Sequence, residues 1–144
     1  MEEKVPPFVI HKEYIKDLSF EMPSAPKIFF NTDVEATTEV NIEINASKIN
    51  DKLFNIDLHL VISNKNKEQA LFLIDLTYSA LSTLNVEESE IKKILLINIP
   101  YIIFPSVITM VANLTRESGF PPLIMGPVNF EEMFKKSEEN SKPN

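Results

Sequence analysis

Strict alternation of apolar and polar residues is the feature that most constrains the fold of this chain. It is clearest in residues 37–46, TTEVNIEINA, where the apolar side chains fall on even positions. Residues 53–62 (LFNIDLHLVI) and 70–78 (ALFLIDLTY) repeat the pattern. A period of two is typical of a strand with one buried and one solvated face. We therefore predict three such strands in series.

Residues 8–21, FVIHKEYIKDLSFE, alternate less strictly, because Lys12 and Lys16 interrupt the apolar even positions. We predict a long strand at the edge of the sheet. Residues 22–33, with two prolines and the adjacent Phe29 and Phe30, predict an irregular crossing with exposed apolar side chains. Strands in series followed by helices predict an α+β fold, a four-stranded antiparallel sheet with helices packed on one face.

The second half of the chain carries the sequence features of three helices. Asn85, followed by Glu88, is typical of a capping box, and the helix that it begins should end before Pro100. Pro105 suits the first turn of a second helix, where its missing N–H costs nothing, and Gly119 suits its C-terminal end.

A third, short helix is predicted to start at Asn129, with Glu132 as its capping partner. The polar residues beyond it, 137–144, predict a disordered C-terminal tail. Residues 1–136 would then form a single domain, which suits a chain of 144 residues.

The stretch from Ile94 to Leu114 has 21 residues without a charged side chain, which is long enough to span a bilayer. Pro100 and Pro105 argue against a span, because each would leave backbone groups without hydrogen-bond partners in hydrocarbon. From residue 103 onward the helix has an apolar stripe and no charged outer face until Arg116. We predict that another subunit covers its second side; the alternative is a helix buried deep in its own fold. The stripe consists of Ile103, Phe104, Val107, Ile108, Met110, Val111 and Leu114.

Charge and composition exclude several classes of function. Twenty-one acidic and 14 basic residues, a net charge of -7, argue against binding nucleic acid or anionic membranes. The absence of Cys excludes thiol catalysis, Cys-ligated zinc and iron–sulfur clusters. The N-terminal residues do not resemble an export signal, so we expect a cytoplasmic protein without stable membrane insertion.

The odd positions of the predicted strands form the opposite face of the sheet, which carries seven carboxylates and no Lys or Arg. Two interpretations are open, a solvated face that aids solubility and a docking surface for a basic partner. The residues of this face are Glu13, Asp17, Ser19, Glu21, Glu39, Asn41, Glu43, Asn55, Asp57, His59, Leu73, Asp75 and Thr77.

Catalytic features are few, so we expect neither an enzyme nor a cofactor. The chain has two His residues, no metal-binding spacing, and only two glycines, too few for a Gly-rich phosphate loop. A small α+β enzyme that uses His59 and Asp57 is the alternative from this class.

Four segments resemble, in order and spacing, the signature segments of the SecB protein-export chaperones: YIKDLSFEMPSAP (14–26), FLIDLTYSA (72–80), IPYIIFPSV (99–107) and GFPPLIMGPVNFEEMF (119–134). The resemblance implies a cytosolic homotetramer, a dimer of dimers, that binds unfolded precursor proteins and delivers them to the SecA translocase ATPase. An alternative within this resemblance is a SecB-like chaperone dedicated to a single partner, such as an antitoxin.

The resemblance also implies roles for individual residues. Asp17, Glu21, Leu73 and Asp75 match the residues that dock SecA, and residues 105–118 match the subunit-interface helix. The residues that match the hydrophobic client groove are Phe29, Phe30, Val40, Ile42, Ile44, Leu123, Met125, Phe130 and Phe134.

Overall fold

Four antiparallel strands form one sheet in the order β1-β4-β3-β2. The computed structural model describes residues 4–30, 35–67 and 69–141. The strands are β1 (Phe8–Glu21), β2 (Thr37–Lys48), β3 (Leu53–Asn66) and β4 (Gln69–Leu84). The four predicted strands are confirmed, and β1 lies at an edge as predicted. The central strands β3 and β4 extend beyond the predicted segments, because their ladder continues from Leu53 opposite Thr83 to Asn66 opposite Gln69.

The helical half of the chain is organised differently from the prediction. Helix α1 (Glu88–Lys93), a π-helical turn (Ile94–Asn98) and α2 (Ile99–Glu117) form one continuous helical segment. The predicted break before Pro100 is therefore wrong. The Ile99 N–H bonds to the Ile94 carbonyl five residues back, so the π turn adjusts the backbone just before a residue that has no N–H to donate.

Two further helix predictions are corrected. Asn85 is not an N-cap, because α1 begins three residues later, after Glu87, and no side chain caps it. Pro105 lies inside α2 rather than at its start. Proline is unfavourable there by about 3 kcal/mol relative to alanine, but burial of the apolar face of α2 outweighs that cost.

Helix α3 (Phe130–Ser141) begins directly after the predicted cap Asn129, whose Oδ1 accepts a hydrogen bond of 2.9 Å from the Glu132 N–H. It continues to Ser141, so residues 137–141 are helical, although the sequence assigned them to a disordered tail. The remaining tail residues, 142–144, lie outside the described part of the chain, as do residues 31–33 of the predicted crossing.

The core lies between the even positions of β3 and β4 and one side of α2. Leu58, Leu60 and Leu76 have no exposed surface, and neither do Ile103 and Val107 of α2. The segment Glu88–Glu117 is long and apolar enough to cross a membrane by length and composition. In this fold it packs as a core helix, because its apolar side lies on the sheet.

Strand β1 contains two β-bulges, because its pairing with β4 skips one residue at His11 and one at Lys16. A bulge reverses the face to which the following side chains point. Glu13 therefore lies on the helix side, where its Oε1 is 3.3 Å from the Tyr78 hydroxyl. The second bulge returns Asp17 to the other side. The prediction that Glu13 belongs to the acidic face is wrong for this reason.

Contacts between aromatic rings join the crossing after β1 to the sheet and to the segment after α2. Phe20 packs on Phe72 and Phe72 on Phe120, with ring centroids 5.9 and 5.1 Å apart. Phe29, on a short 3-10 helix (Lys27–Phe30), packs on Phe120 at 5.9 Å. Gly119 lies close to the Phe29 ring and has a positive φ of +88°. The close approach and the left-handed backbone both require glycine.

We predict that Gly119→Ala destabilises the fold by about 1–3 kcal/mol, because an added Cβ would lie 3.0 Å from Phe29 Cε1 on a left-handed backbone. Urea unfolding monitored by circular dichroism measures this change. The matched control is Gly126→Ala, since a Cβ at Gly126 meets no heavy atom within 4 Å. Equal stabilities of the two variants would contradict the prediction.

Candidate functional site

The face of the sheet that points away from the helices is called the outer face below. The four residues predicted to dock SecA lie together on it, along β1 and β4. Glu21 is directly opposite Leu73, and Ser19 is opposite Asp75. Asp17 lies two positions before Ser19 on β1, opposite Thr77. The antiparallel register therefore brings three carboxylates and one half-buried leucine into one patch.

The charge pattern of the outer face differs from the prediction that no Lys lies on it. Lys12, after the first bulge, lies on this face opposite Leu81, and Lys16 Nζ, at the second bulge, is 3.1 Å from Asp57 Oδ2. His59 Nε2 lies 2.8 Å from Asp75 Oδ1. Within the described residues Asp17 and Glu21 form no ion pair, and their carboxylates are exposed. The β1 end of the patch therefore stays acidic.

A network of polar side chains surrounds Asp57 in the middle of the outer face. Asp57 Oδ1 accepts hydrogen bonds from Ser79 Oγ at 2.5 Å and from Asn55 Nδ2 at 2.9 Å. The Tyr14 hydroxyl donates to Asn55 Oδ1 at 2.5 Å. Ser79 is fully buried, so the network is anchored in the sheet rather than on flexible side chains.

Partial burial raises the pKa of Asp57, but hydrogen bonds from Ser79, Lys16 and Asn55 outweigh it and hold the pKa below the ordinary value of 3.8. A lowered folded-state pKa stabilises the fold above the unfolded-state value. This contribution is lost as the pH falls below 3.8 towards the lower folded-state pKa. At neutral pH the ionised Asp57 therefore stabilises its contacts with β1 and β4.

The arrangement does not form the His59–Asp57 pair of the enzyme alternative. His59 Nε2 contacts Asp75, while both Asp57 oxygens are engaged by other side chains. Among residues 4–30, 35–67 and 69–141, no group of three or more His, Asp or Glu side chains is placed to hold a metal ion.

The predicted groove residues lie on β2, on the 3-10 helix after β1, on the segment after α2 and on α3. Phe30 is 80% exposed, and Phe29 and Val40 are each a little under half exposed. Ile42, Ile44, Leu123 and Met125 are half-buried against the core. Exposed and half-buried apolar side chains thus remain available to a ligand.

Between β2 and α3 lies an open cavity of about 430 Å³. Ile44 and Phe134, both predicted, line it together with Leu96 and Met133, which were not predicted as groove residues. Met133 could have been found from its helical spacing with Phe130. Leu96 could not, because the π turn that orients it has no sequence pattern of its own.

Phe130 is a correction to the predicted groove, because it has no exposed surface. Its ring packs edge-to-face against Tyr101 and Phe104, with centroids 5.0 and 5.5 Å away. Its N–H donates to the Tyr101 hydroxyl at 3.2 Å. Phe130 therefore anchors α3 to α2 and is unavailable to a client.

The predicted subunit-interface stripe divides into two groups. Ile103, Phe104, Val107 and Val111 are buried inside this subunit, so their packing partners are intramolecular. Ile108, Met110 and Leu114 are half-buried. Met110 and Leu114 line a small apolar cleft of about 250 Å³ between α2 and β1, whose other lining residues include Ile15 and Leu18.

Comparisons with known proteins indicate the family of this chain. The family model described as preprotein translocase subunit SecB matches residues 1–141. The chain is 36% identical over 129 residues to a protein-export protein SecB of Rhodospirillum rubrum, covering 90% of this chain and 81% of that one. It is 32% identical over 140 residues to one of Neisseria meningitidis, covering 96% and 95%.

A solved structure shows a similar fold. It is a SecB-like chaperone of Mycobacterium tuberculosis in complex with a peptide from an antitoxin, with a TM-score of 0.69 and 16% sequence identity, covering 85% of this chain and 91% of that one. Together with the family match over nearly the whole chain, the outer acidic patch and the apolar surface around β2 lead to one conclusion: the chain belongs to the SecB family of protein-export chaperones.

Proposed function

We propose that this protein is a cytoplasmic export chaperone that binds unfolded precursor proteins at β2 and delivers them to the SecA translocase ATPase. The observation that carries the proposal is the apolar surface along β2 and the crossing, where a soluble domain would ordinarily place polar residues. Membership of a chaperone family supports it. The structural relative at 16% identity shows the fold alone and does not favour the alternative of a single dedicated partner.

Client binding would use both the side chains and the backbone of the edge strand. One side of β2 pairs with β3, and within the described residues no strand pairs with the other side. An unpaired edge can hydrogen-bond an extended peptide, while half-buried apolar side chains accept its hydrophobic residues. Such contacts are weak and have little sequence selectivity, which suits a protein that binds many unfolded chains. Several copies in one assembly would add avidity.

We predict that Phe30→Ser combined with Val40→Ser weakens binding of an unfolded precursor about tenfold or more. Both side chains are exposed, so the loss of apolar contact area affects the client more than the fold. Suppression of aggregation of a denatured precursor and a fluorescence titration measure the effect. The control is Ile49→Ser, which removes an exposed apolar side chain just beyond the end of β2. If the double variant and the control bind alike, the groove assignment is wrong.

SecA docking would use the outer-face patch formed by Asp17, Glu21, Leu73 and Asp75. The exposed carboxylates attract a basic partner, and Leu73 supplies an apolar contact between them. Because this patch lies on the face opposite the helices, a bound client at β2 would leave it accessible. The two binding events could therefore occur on one molecule, as transfer requires.

We predict that Asp17→Lys combined with Glu21→Lys abolishes SecA binding and leaves client binding unchanged, because it reverses the charge of the β1 end of the patch. Isothermal titration calorimetry at low and high salt measures the interaction, which should weaken as salt screens exposed charges. Glu39→Lys with Glu43→Lys is the matched control, because these residues lie on β2, at the far edge of the outer face. Unchanged SecA affinity of the Asp17/Glu21 variant would defeat the assignment.

Self-association into a dimer of dimers would cover the apolar surface between β1 and α2. Ile15, Leu18 and Ile102 are each exposed by more than a third, although they are large and apolar. An unpaired edge strand beside them is a ready surface for another copy. The exposed side of α2, which carries no charge before Arg116, fits the same partner.

We predict a solution mass four times the 16.4 kDa of one chain and a smaller mass for Ile15→Lys combined with Ile102→Lys, because buried unpaired charges oppose association. Light scattering after gel filtration measures both. Val5→Lys, at a more exposed position, is the control and should keep the wild-type mass. A monomeric wild-type protein at micromolar concentration would overturn the proposed assembly.

A further inference from the structure

Each of the two bulged residues of β1 is held by its own side chain. His11 Nε2 lies 2.6 Å from Thr83 Oγ1 at the first bulge, and Lys16 Nζ lies 3.1 Å from Asp57 Oδ2 at the second. The first contact reaches the neighbouring strand β4. The second passes over β4 and reaches β3, so it ties the edge strand to the centre of the sheet.

Asp57 is a rigid anchor for this contact. Its Oδ1 is fixed by Ser79 and Asn55, and Asn55 is in turn fixed by the Tyr14 hydroxyl. The Asp57 side chain is 23% exposed, whereas that of Lys16 is 51% exposed. The flexible partner therefore meets a preorganised carboxylate, and an ion pair of this kind loses less conformational entropy than a pair of two mobile side chains.

The second bulge decides where the docking carboxylates point. Asp17 follows it directly and lies opposite Thr77 on the outer face. If the bulge were lost, every later residue of β1 would change face, and Asp17 and Glu21 would turn towards the helices. Phe20, near the C-terminal end of β1, is held by stacking on Phe72. If the bulge were lost, the pairing of β1 with β4 would therefore loosen mainly near Asp17.

We propose that Asp57 is a positioning residue for docking, because its contact with Lys16 holds the second bulge of β1 and thereby keeps Asp17 on the outer face. The inference rests on the proposed docking of SecA to this face. Asp57 itself need not touch SecA. The contact that holds the bulge ends at Asp57 on β3, two strands away from Asp17 on β1.

A disulfide trap tests the register without SecA. The chain has no Cys, so Asp17→Cys with Thr77→Cys introduces the only possible pair, at directly opposed positions next to the bulge. Mild oxidation should close this pair quickly. Adding Lys16→Met or Asp57→Asn should slow closure of the disulfide about threefold or more. Two controls should leave the rate unchanged. Lys16→Arg keeps the ion pair, and Glu43→Gln lies outside the network.

SecA binding is then measured on the Cys-free chain. Lys16→Met and Asp57→Asn should each weaken it about three- to tenfold, and Lys16→Arg should retain it. If Lys16→Met and Asp57→Asn both leave the rate of disulfide closure unchanged, the inference is overturned. The assignment of the docking residues is unaffected by that result, because Asp17→Lys with Glu21→Lys tests it separately. Slower closure with unchanged SecA affinity overturns the role of Asp57 in docking. Because Lys16 is half exposed, Lys16→Met keeps the test valid if Asp57→Asn fails to fold.

Discussion

The apolar layer between the two central strands and α2 is the interaction on which the rest of the structure depends. Alternate residues of β3 and β4, such as Leu60 and Leu76, lose all solvent contact against helix residues such as Ile103. Each such side chain contributes about 1.5–3 kcal/mol when fully buried. Because the buried set occupies every second position, a slip of one residue would expose all of it, and the register of the central strands is thereby fixed.

Because the buried layer involves the two central strands, the edge strands β1 and β2 are available for binding. Strand β2 keeps apolar side chains half-buried beside a helix that leaves an open cavity. Strand β1 is bulged, and it carries both Ile15 and Leu18 of the proposed subunit contact and two of the three carboxylates of the proposed docking patch. In the proposed function, β2 presents its apolar side chains to clients on the helix side of the sheet and SecA meets the outer face, so neither site requires the central layer to change.

The sequence predictions succeeded for features set by neighbouring residues and failed for features set by contacts between distant residues. The strands were found because alternation is a property of consecutive residues, and Asn129 was found because a cap involves only three residues beyond it. The break at Pro100 was predicted wrongly, because a π turn stabilised by tertiary packing accommodates the proline. Phe130 was placed in the groove because burial depends on Tyr101 and Phe104, more than 20 residues away in the chain.

The sequence by itself determined the four strands, the α+β class, the family through its four signature segments, and the residues that carry negative charge on the sheet. Only the tertiary structure decided which of those residues share a face. Glu13 and Asp17 are four positions apart and would lie on one side of a regular strand, yet the bulge at Lys16 between them puts them on opposite faces. The physical reason is that bulges form through pairing with a distant strand and through side-chain contacts such as Lys16 with Asp57, which no local pattern of residues records.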